Sequence, residues 1–271
     1  MFVSGDDAGT VAVWSIATDT SKISVNRVGA RTRAHDNGVA AIASLAGGES
    51  FVTVGADARL KSWDTQRATS GGFEEDRSVV AVAGAACGAI NAVAAHPTDK
   101  NLVATADDDG TVRVWDLRVP TTPAASREGV KVRGGVGRAY ALAWADAGLG
   151  EALAVGYENG AVGVLETRAR LGEVTGSTAI ASSSLETRGV IEAHGDAVRG
   201  LAWEVCSDKP GRLASCGDDG DVATHEGELP VTKRERRHGD TYARSVAFWS
   251  DPSDGIVKIV SGGWDGKVVA A

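Results

Sequence analysis

Apolar residues recur at every second position along short stretches of this chain, and acidic, glycine-containing turns separate them. The clearest stretch is Leu102–Arg118, LVATADDDGTVRVWDLR. Val103 and Thr105, then Val112 and Val114, alternate with smaller or polar neighbours, which predicts two half-buried strands. Asp107-Asp108-Asp109-Gly110 between them supplies the Asp-Gly chemistry of a hairpin turn, because glycine accepts positive φ without steric cost. The second strand ends in Trp115-Asp116. SGDDAGTVAVWS, with Trp14, and TVGADARLKSWDT, with Trp63, repeat the pattern. AVGYENGAVGVLET places Leu165 in the tryptophan position, SCGDDGDVATHE places His225 there, and SGGWDGKVVAA reaches Ala271.

The anchors 14, 63, 115, 165, 225 and 271 recur at intervals of roughly fifty residues, at or slightly above the roughly 40–50-residue period of propeller blades. A hydroxyl precedes the turn acid in every copy but one: Ser4, Thr53, Thr105, Ser215 and Ser261, with Val155 the exception. A histidine stands before a strand of small apolar residues at His35 (VAAIASL), His194 (AVRGLAW) and His238 (ARSVAFW), whereas GAINAVAAH and RAYALAW fill that place without one.

These marks resemble the WD40-repeat family over nearly the whole chain. The resemblance implies an all-β WD40 β-propeller forming one domain over residues 1–271, with about six blade units present of an expected seven. It also implies a buried His, Ser or Thr, Asp and Trp tetrad in each blade. His35, Thr53, Asp57 and Trp63 match it in full; Thr105, Asp109 and Trp115 lack the histidine. His194, Ser215 and Asp219 end in His225, and His238, Ser261 and Asp265 end in Ala271. Trp63 and Trp115 are expected in the core, and Trp264 is either buried packing or an exposed anchor.

Phe2–Gly5 and Val11–Ile16 read as the second and third strands of a blade, and the last copy stops after its third strand. The reading therefore expects a chain short of a blade and a half at its front, with a complete relative beginning roughly sixty to eighty residues earlier. SVNRVGA reads as an outer strand, Gln66–Arg77 as a loop followed by the outer strand SVVAVAG, Pro120–Glu128 as a connector, and Leu171–Thr187 as a low-complexity insertion. The run KRERR, Lys233–Arg237, is a nuclear address, a contact patch or solvated outer-strand surface.

The net charge of −8 argues against direct nucleic-acid binding, which rests on Lys and Arg, and leaves basic proteins as partners. Cys87, Cys206 and Cys216 have neither CxxC nor Cys/His spacing, so no disulfide framework or zinc site is expected, although Cys206 and Cys216 could approach across adjacent strands. The N-terminus lacks a signal-peptide layout, and the apolar stretch Val79–Ile90 is too short to span a bilayer core of roughly 30 Å. A soluble protein of cytoplasm and nucleus is expected, with no membrane partner. Phosphate-loop, HExxH and EF-hand spacings are missing from the sequence, and no cofactor or metal is expected.

The tetrads contain the residue types of a hydrolase triad, but they recur by blade, whereas an active site is built once and needs an exposed nucleophile. No enzymatic activity is expected of them. The turn acids Asp6, Asp107, Asp108, Glu158 and Asp218 are expected to face solvent around one rim, where they would attract an Arg- or Lys-rich segment. The alternative is that Asp merely favours turns.

A closer resemblance, to methylosome protein 50 and its relatives, rests on RAHDNGVAAIASL with ARLKSWDTQ, on ATADDDGTVRVWDLRVPTTPAAS with Pro120 and Pro123, and on AVGYENGAVGVLETR with Glu158-Asn159-Gly160. GGWDGKVVAA adds Trp264 directly before the turn Asp265. The resemblance implies a non-catalytic adaptor of a symmetric-dimethylating protein arginine methyltransferase. It would present basic substrates such as histone tails and Arg-Gly-rich Sm proteins while the enzyme supplies the methyl-transfer chemistry. Asp116-Leu117-Arg118, a WDLR exit, keeps open a ubiquitin-ligase substrate receptor, and a histone-chaperone subunit is a further scaffold of the same kind.

Overall fold

The computed structural model describes residues 1–19, 22–69, 75–77, 88–118, 125–127, 137–145, 152–167, 183–204, 211–226, 231–250 and 256–271. Its contacts group the chain into two compact units, Met1–Thr105 with Val114–Pro123, and Ala106–Arg113 with Ala124–Ala271.

In the first unit β1 (Phe2–Gly5), β2 (Val11–Asp19) and β3 (Lys22–Arg31) form an antiparallel three-stranded sheet. β4 (Val39–Ser44), β5 (Ser50–Gly55), β6 (Leu60–Asp64) and, after helix α1 (Thr65–Thr69), β7 (Glu75–Arg77) make a four-stranded sheet in that order. β8 (Ile90–Ala95), β9 (Leu102–Asp107) and β10 (Val112–Asp116) follow, the tip of their hairpin grouping with the second unit. One face of each sheet packs on the next. Val11, Val13, Phe51 and Trp63 close the first junction, and Val52, Val54, Leu60, Ile90, Val103 and Trp115 the second. A single such sheet cannot bury both faces, so stacking supplies the core.

The second unit repeats the plan. β11 (Ala125–Arg127) runs parallel to β15 (Ser183–Glu192), the outermost strand of the meander β12 (Ala139–Trp144), β13 (Ala152–Tyr157), β14 (Ala161–Thr167) and β15. Then come β16 (Val198–Trp203), β17 (Leu213–Gly217), β18 (Asp221–His225) and β19 (Val231–Arg236), and finally β20 (Ala243–Ser250), β21 (Val257–Gly263) and β22 (Val268–Ala270). Val162, Val164, Val198 and Leu213 fill one junction, and Ala214, Cys216, Val222, Ala243 and Ile259 the next.

The sequence-based boundaries need three corrections. Gln66–Arg77 is not simply a loop: Asp64 Oδ1 accepts the Arg67 N–H at 2.9 Å, an N-cap that starts α1, and β7 then pairs with β6. The segment SVVAVAG lies outside the described residues. The supposed insertion Leu171–Thr187 already contains the start of β15, where Leu165 pairs with Thr187 and Thr167 with Leu185. The connector Pro120–Glu128 contains β11, while KRERR falls on the outer strand β19 and the residue after it. Among the described residues no helix is long and apolar enough to cross a membrane.

Candidate functional site

The fold carries its polar chemistry in hydrogen-bonded sets that tie the hairpin turn of a sheet to the loop entering that same sheet. In the first unit His35 Nδ1 lies 2.9 Å from Asp57 Oδ1 and His35 Nε2 lies 2.7 Å from Thr53 Oγ1. Trp63 Nε1 donates to the same hydroxyl at 2.9 Å. Asp57 also accepts the backbone N–H of Asp36 at 3.1 Å. Burial pushes the Asp57 carboxyl up, but the His35 hydrogen bond, the backbone N–H groups and the His35 charge outweigh it and hold its pKa below the ordinary value.

The second unit builds the histidine, aspartate and hydroxyl part of the set twice, without the indole. His194 bridges Asp219 (3.0 Å) and Ser215 (2.8 Å), and His225 Nε2 joins Ser215 Oγ at 2.8 Å. His238 bridges Asp265 (3.0 Å) and Ser261 (2.9 Å). Asp219 also takes the Gly195 N–H at 2.8 Å. For Asp219 burial again raises the pKa and the His194 bond and charge bring it below normal; for Asp265 the His238 hydrogen bond is the leading cause of the same lowering.

Elsewhere the set is partial. Trp115 Nε1 donates to Thr105 and Trp14 Nε1 to Ser4, each at 2.8 Å. Asp109 has no histidine; its Oδ1 accepts the Thr111 N–H at 2.8 Å and shapes the turn. Val155 and Leu165, both fully buried, replace hydroxyl and indole together, so neither member of that pair is left without the other. Thr53, Ser215 and Ser261 are buried hydroxyls, sealed from any substrate.

The rim acids divide. Asp6 is exposed and caps its own turn, accepting the N–H groups of Ala8 (3.0 Å) and Thr10 (2.8 Å). Glu158 is exposed and accepts the Arg138 N–H at 3.3 Å, and Asp108 lies 3.8 Å from the Arg138 guanidinium. Asp107 and Asp218 correct the expectation of solvent-facing carboxylates. Asp107 is buried, accepts the Thr111 N–H at 3.1 Å and pairs with Arg113 across the hairpin. The Asp218 side chain is 9% exposed and lies 2.6 Å from Arg199 and 3.6 Å from Arg244. Trp264 is exposed, so it is not buried packing.

Sequence reasoning missed Tyr140, Arg199 and Arg244, which occupy one column of the repeats. Each is the residue stepped over by a register shift near the start of an inner strand: Ala139/Ala141, Val198/Gly200 and Ala243/Ser245. A large side chain standing among small residues in RAYALAW, AVRGLAW and ARSVAFW was the available signal. Among the described residues no group of three or more His, Cys, Asp and Glu side chains could hold a metal ion. Cys216 is buried and burial pushes its thiol up to about 12; Cys87 and Cys206 lie outside the described residues.

The WD40 family model, described as WD domain, G-beta repeat, matches residues 77–116 and 185–223. No curated protein sequence matches the chain. Among solved structures, the computationally designed Ika8 protein is 21% identical with a TM-score of 0.63, over 99% of this chain and 66% of that one. Sqt1 from Chaetomium thermophilum is 17% identical with a TM-score of 0.71, over 99% and 64%. The same Sqt1 bound to the N-terminus of the ribosomal protein L10 is 17% identical with a TM-score of 0.71, over 99% and 68%. At these identities the likeness is one of fold, and the chain spans about two thirds of the length of those structures. The fold is an all-β WD40 β-propeller fold, and the matched segments carry WD40 repeats. Proteins of this class are generally non-catalytic scaffolds that bind protein partners.

Proposed function

We propose that this chain is a non-catalytic adaptor that holds a basic segment of a partner protein on the loops of its second unit. One observation carries the reading: the tetrad aspartates that bond histidine also clamp the incoming loop, as Asp219 does with the Gly195 N–H. Loop residues therefore stand on a fixed support, and the groups that resemble a triad are locked beneath it. Glu158, Asp196 and Asp240 are exposed on these loops and turns, and the chain as a whole carries −8. Such a surface steers Arg- and Lys-rich segments toward it.

The finer reading is an adaptor of an arginine methyltransferase that presents histone tails or Sm proteins, in cytoplasm and nucleus. GGWDGKVVAA, the Glu158-Asn159-Gly160 turn and the exposure of Trp264 support it. The Sqt1 complex with the N-terminus of L10 favours a second reading, in which the bound segment is the terminus of a ribosomal protein.

Fluorescence anisotropy with an arginine-rich histone-tail peptide tests the shared claim. Glu158→Lys combined with Asp196→Lys should weaken Kd about tenfold or more and flatten its salt dependence. An unchanged Kd at low salt removes the basic-partner reading. Affinity purification then separates the finer ones: stoichiometric recovery of an arginine methyltransferase supports the first, a ribosomal protein the second, and cullin adaptors a ubiquitin-ligase receptor.

A further inference from the structure

Arg199 and Arg244 hold the same place in successive sheets, each turned out of the ladder by the bulge near the start of its inner strand. The Arg199 guanidinium lies 4.1 Å over the Tyr140 ring, and its Nη2 is 2.6 Å from Asp218 Oδ2. Arg244 lies 3.6 Å from the other oxygen of Asp218, 4.6 Å over the Trp264 ring and 5.3 Å over that of Tyr242. The two rings meet edge to face at 5.1 Å, and the Trp264 backbone N–H donates to the Tyr242 carbonyl at 2.9 Å, fastening turn to loop.

The charges in this cluster do not balance. Two guanidinium groups share the single carboxylate of Asp218. The neighbouring Asp265 is engaged by His238 and by the Lys267 N–H. Arg244 Nε is sealed from solvent and has no hydrogen-bond acceptor among the described residues. Among the described residues a positive charge is thus left over, on a chain that is acidic as a whole, beside an indole that is 67% exposed.

We propose that Trp264, Tyr242 and Arg244 form a docking spot for an acidic–apolar segment of a partner protein. An Asp or Glu of that segment accepts hydrogen bonds from the outer edge of Arg244, and an adjacent apolar side chain lies on Trp264. Trp, Tyr and Arg are the residue types that dominate interface energetics. Stacking has already ordered these three, so little side-chain freedom remains to be lost on binding. A guanidinium presents a fixed fork of donors that suits a carboxylate. The spot has the opposite charge preference to the exposed carboxylates of Glu158 and Asp196, so two different segments can be held at once, and the inference stands without the basic-partner reading.

Selection of a random heptapeptide display library on the full chain, followed by anisotropy of the selected peptides, is the test. Enriched peptides should carry Asp or Glu next to Leu, Phe or Trp. Arg244→Gln and Trp264→Ala should each weaken their Kd about tenfold or more. Trp264 is exposed, so its alanine variant should keep the melting temperature of the parent and separate lost binding from lost fold. Arg244→Glu should shift the selection toward basic peptides, and Glu158→Lys with Asp196→Lys should leave the acidic peptides bound. Enrichment of basic peptides on the parent chain, no enriched motif, or a Kd unmoved by both single variants would overturn the proposal.

Discussion

His225 Nε2 lies 2.8 Å from Ser215 Oγ, the place over a blade hydroxyl that the indole Nε1 takes at Trp63 and Trp115. With His194 in the neutral tautomer whose Nδ1–H faces Asp219, the Ser215 hydroxyl donates to His194 Nε2 and accepts from His225 Nε2–H. His225 Nδ1 is sealed in the core and has no hydrogen-bond partner among the described residues. Burial first, then the nearby His194 and Arg234 charges, bring the His225 pKa from about 6.5 down to about 4.

Acid sensitivity follows. Above the unfolded-state pKa near 6.5 the imidazole is neutral in both states and the native packing keeps its full stability. As the pH falls below that value, the unfolded chain takes up a proton that the folded chain refuses. Stability drops until the folded pKa of about 4 is passed, by at most ~3 kcal/mol. Urea unfolding at pH 7 and pH 5 should show this loss, and His225→Leu, the residue type at Leu165, should reduce it. Equal pH dependence in the two proteins would mean that His225 is not the group responsible.

Trp115 should be worth more than its hydrogen bond. It is almost wholly buried among Val52, Val54, Leu60 and Val103. Trp115→Ala should cost about 3–5 kcal/mol. Thr105→Val should cost about 1–3 kcal/mol by stranding the indole N–H. Thr105→Val with Trp115→Leu imitates the Val155 and Leu165 pair, and its cost should fall short of the sum of the two single changes. Denaturant midpoints of the single and double variants check this; strict additivity would contradict the shared hydroxyl.

The hairpins and tetrads were legible because they repeat at fixed spacing: Trp63 follows Thr53, Trp115 follows Thr105 and His225 follows Ser215 by ten residues. A repeated local rule shows itself in a string of letters. The state of Asp107 and Asp218 did not, since it depends on cations from other strands. Asp218 meets Arg199 from nineteen residues earlier and Arg244 from the following sheet. The pairing of Ala125 with Ser183 is hidden for the same reason, as two short segments distant in the chain come together. Helix α1 had a local signal, the Asp64 N-cap, but no apolar periodicity long enough to announce it.

Two turn glycines should respond differently to alanine. Both have positive φ, 82° at Gly160 and 72° at Gly266. A Cβ on Gly160 would stand 2.1 Å from the His194 carbonyl oxygen, whereas one on Gly266 meets nothing within 4 Å. Gly266→Ala should therefore cost only the left-handed backbone penalty, roughly 1 kcal/mol. Gly160→Ala must in addition push away the loop whose His194 N–H donates to the Gly160 carbonyl at 3.0 Å. Thermal melts should place Gly160→Ala well below Gly266→Ala, and coincident melts would contradict the tight staple of loop to turn.

Asp218 and Asp108 looked alike in sequence, as acids of equivalent turns, and the structure separates them. Asp218 is shared by two partly buried guanidinium groups, and removing it takes away the carboxylate that both of them face. Because Arg199 and Arg244 keep some contact with water, the cost of Asp218→Ala should fall below that of breaking a fully buried pair, at about 1–3 kcal/mol. Asp108 is more open and sits 3.8 Å from Arg138, a geometry of small worth, so Asp108→Ala should change stability by about 0.5 kcal/mol or less. Urea unfolding at low and high salt distinguishes the two kinds of pair, since burial shields the Asp218 contact from screening. Equal, small and salt-sensitive costs would return Asp218 to the solvent rim and leave Arg199 and Arg244 without the anchor that holds them in place.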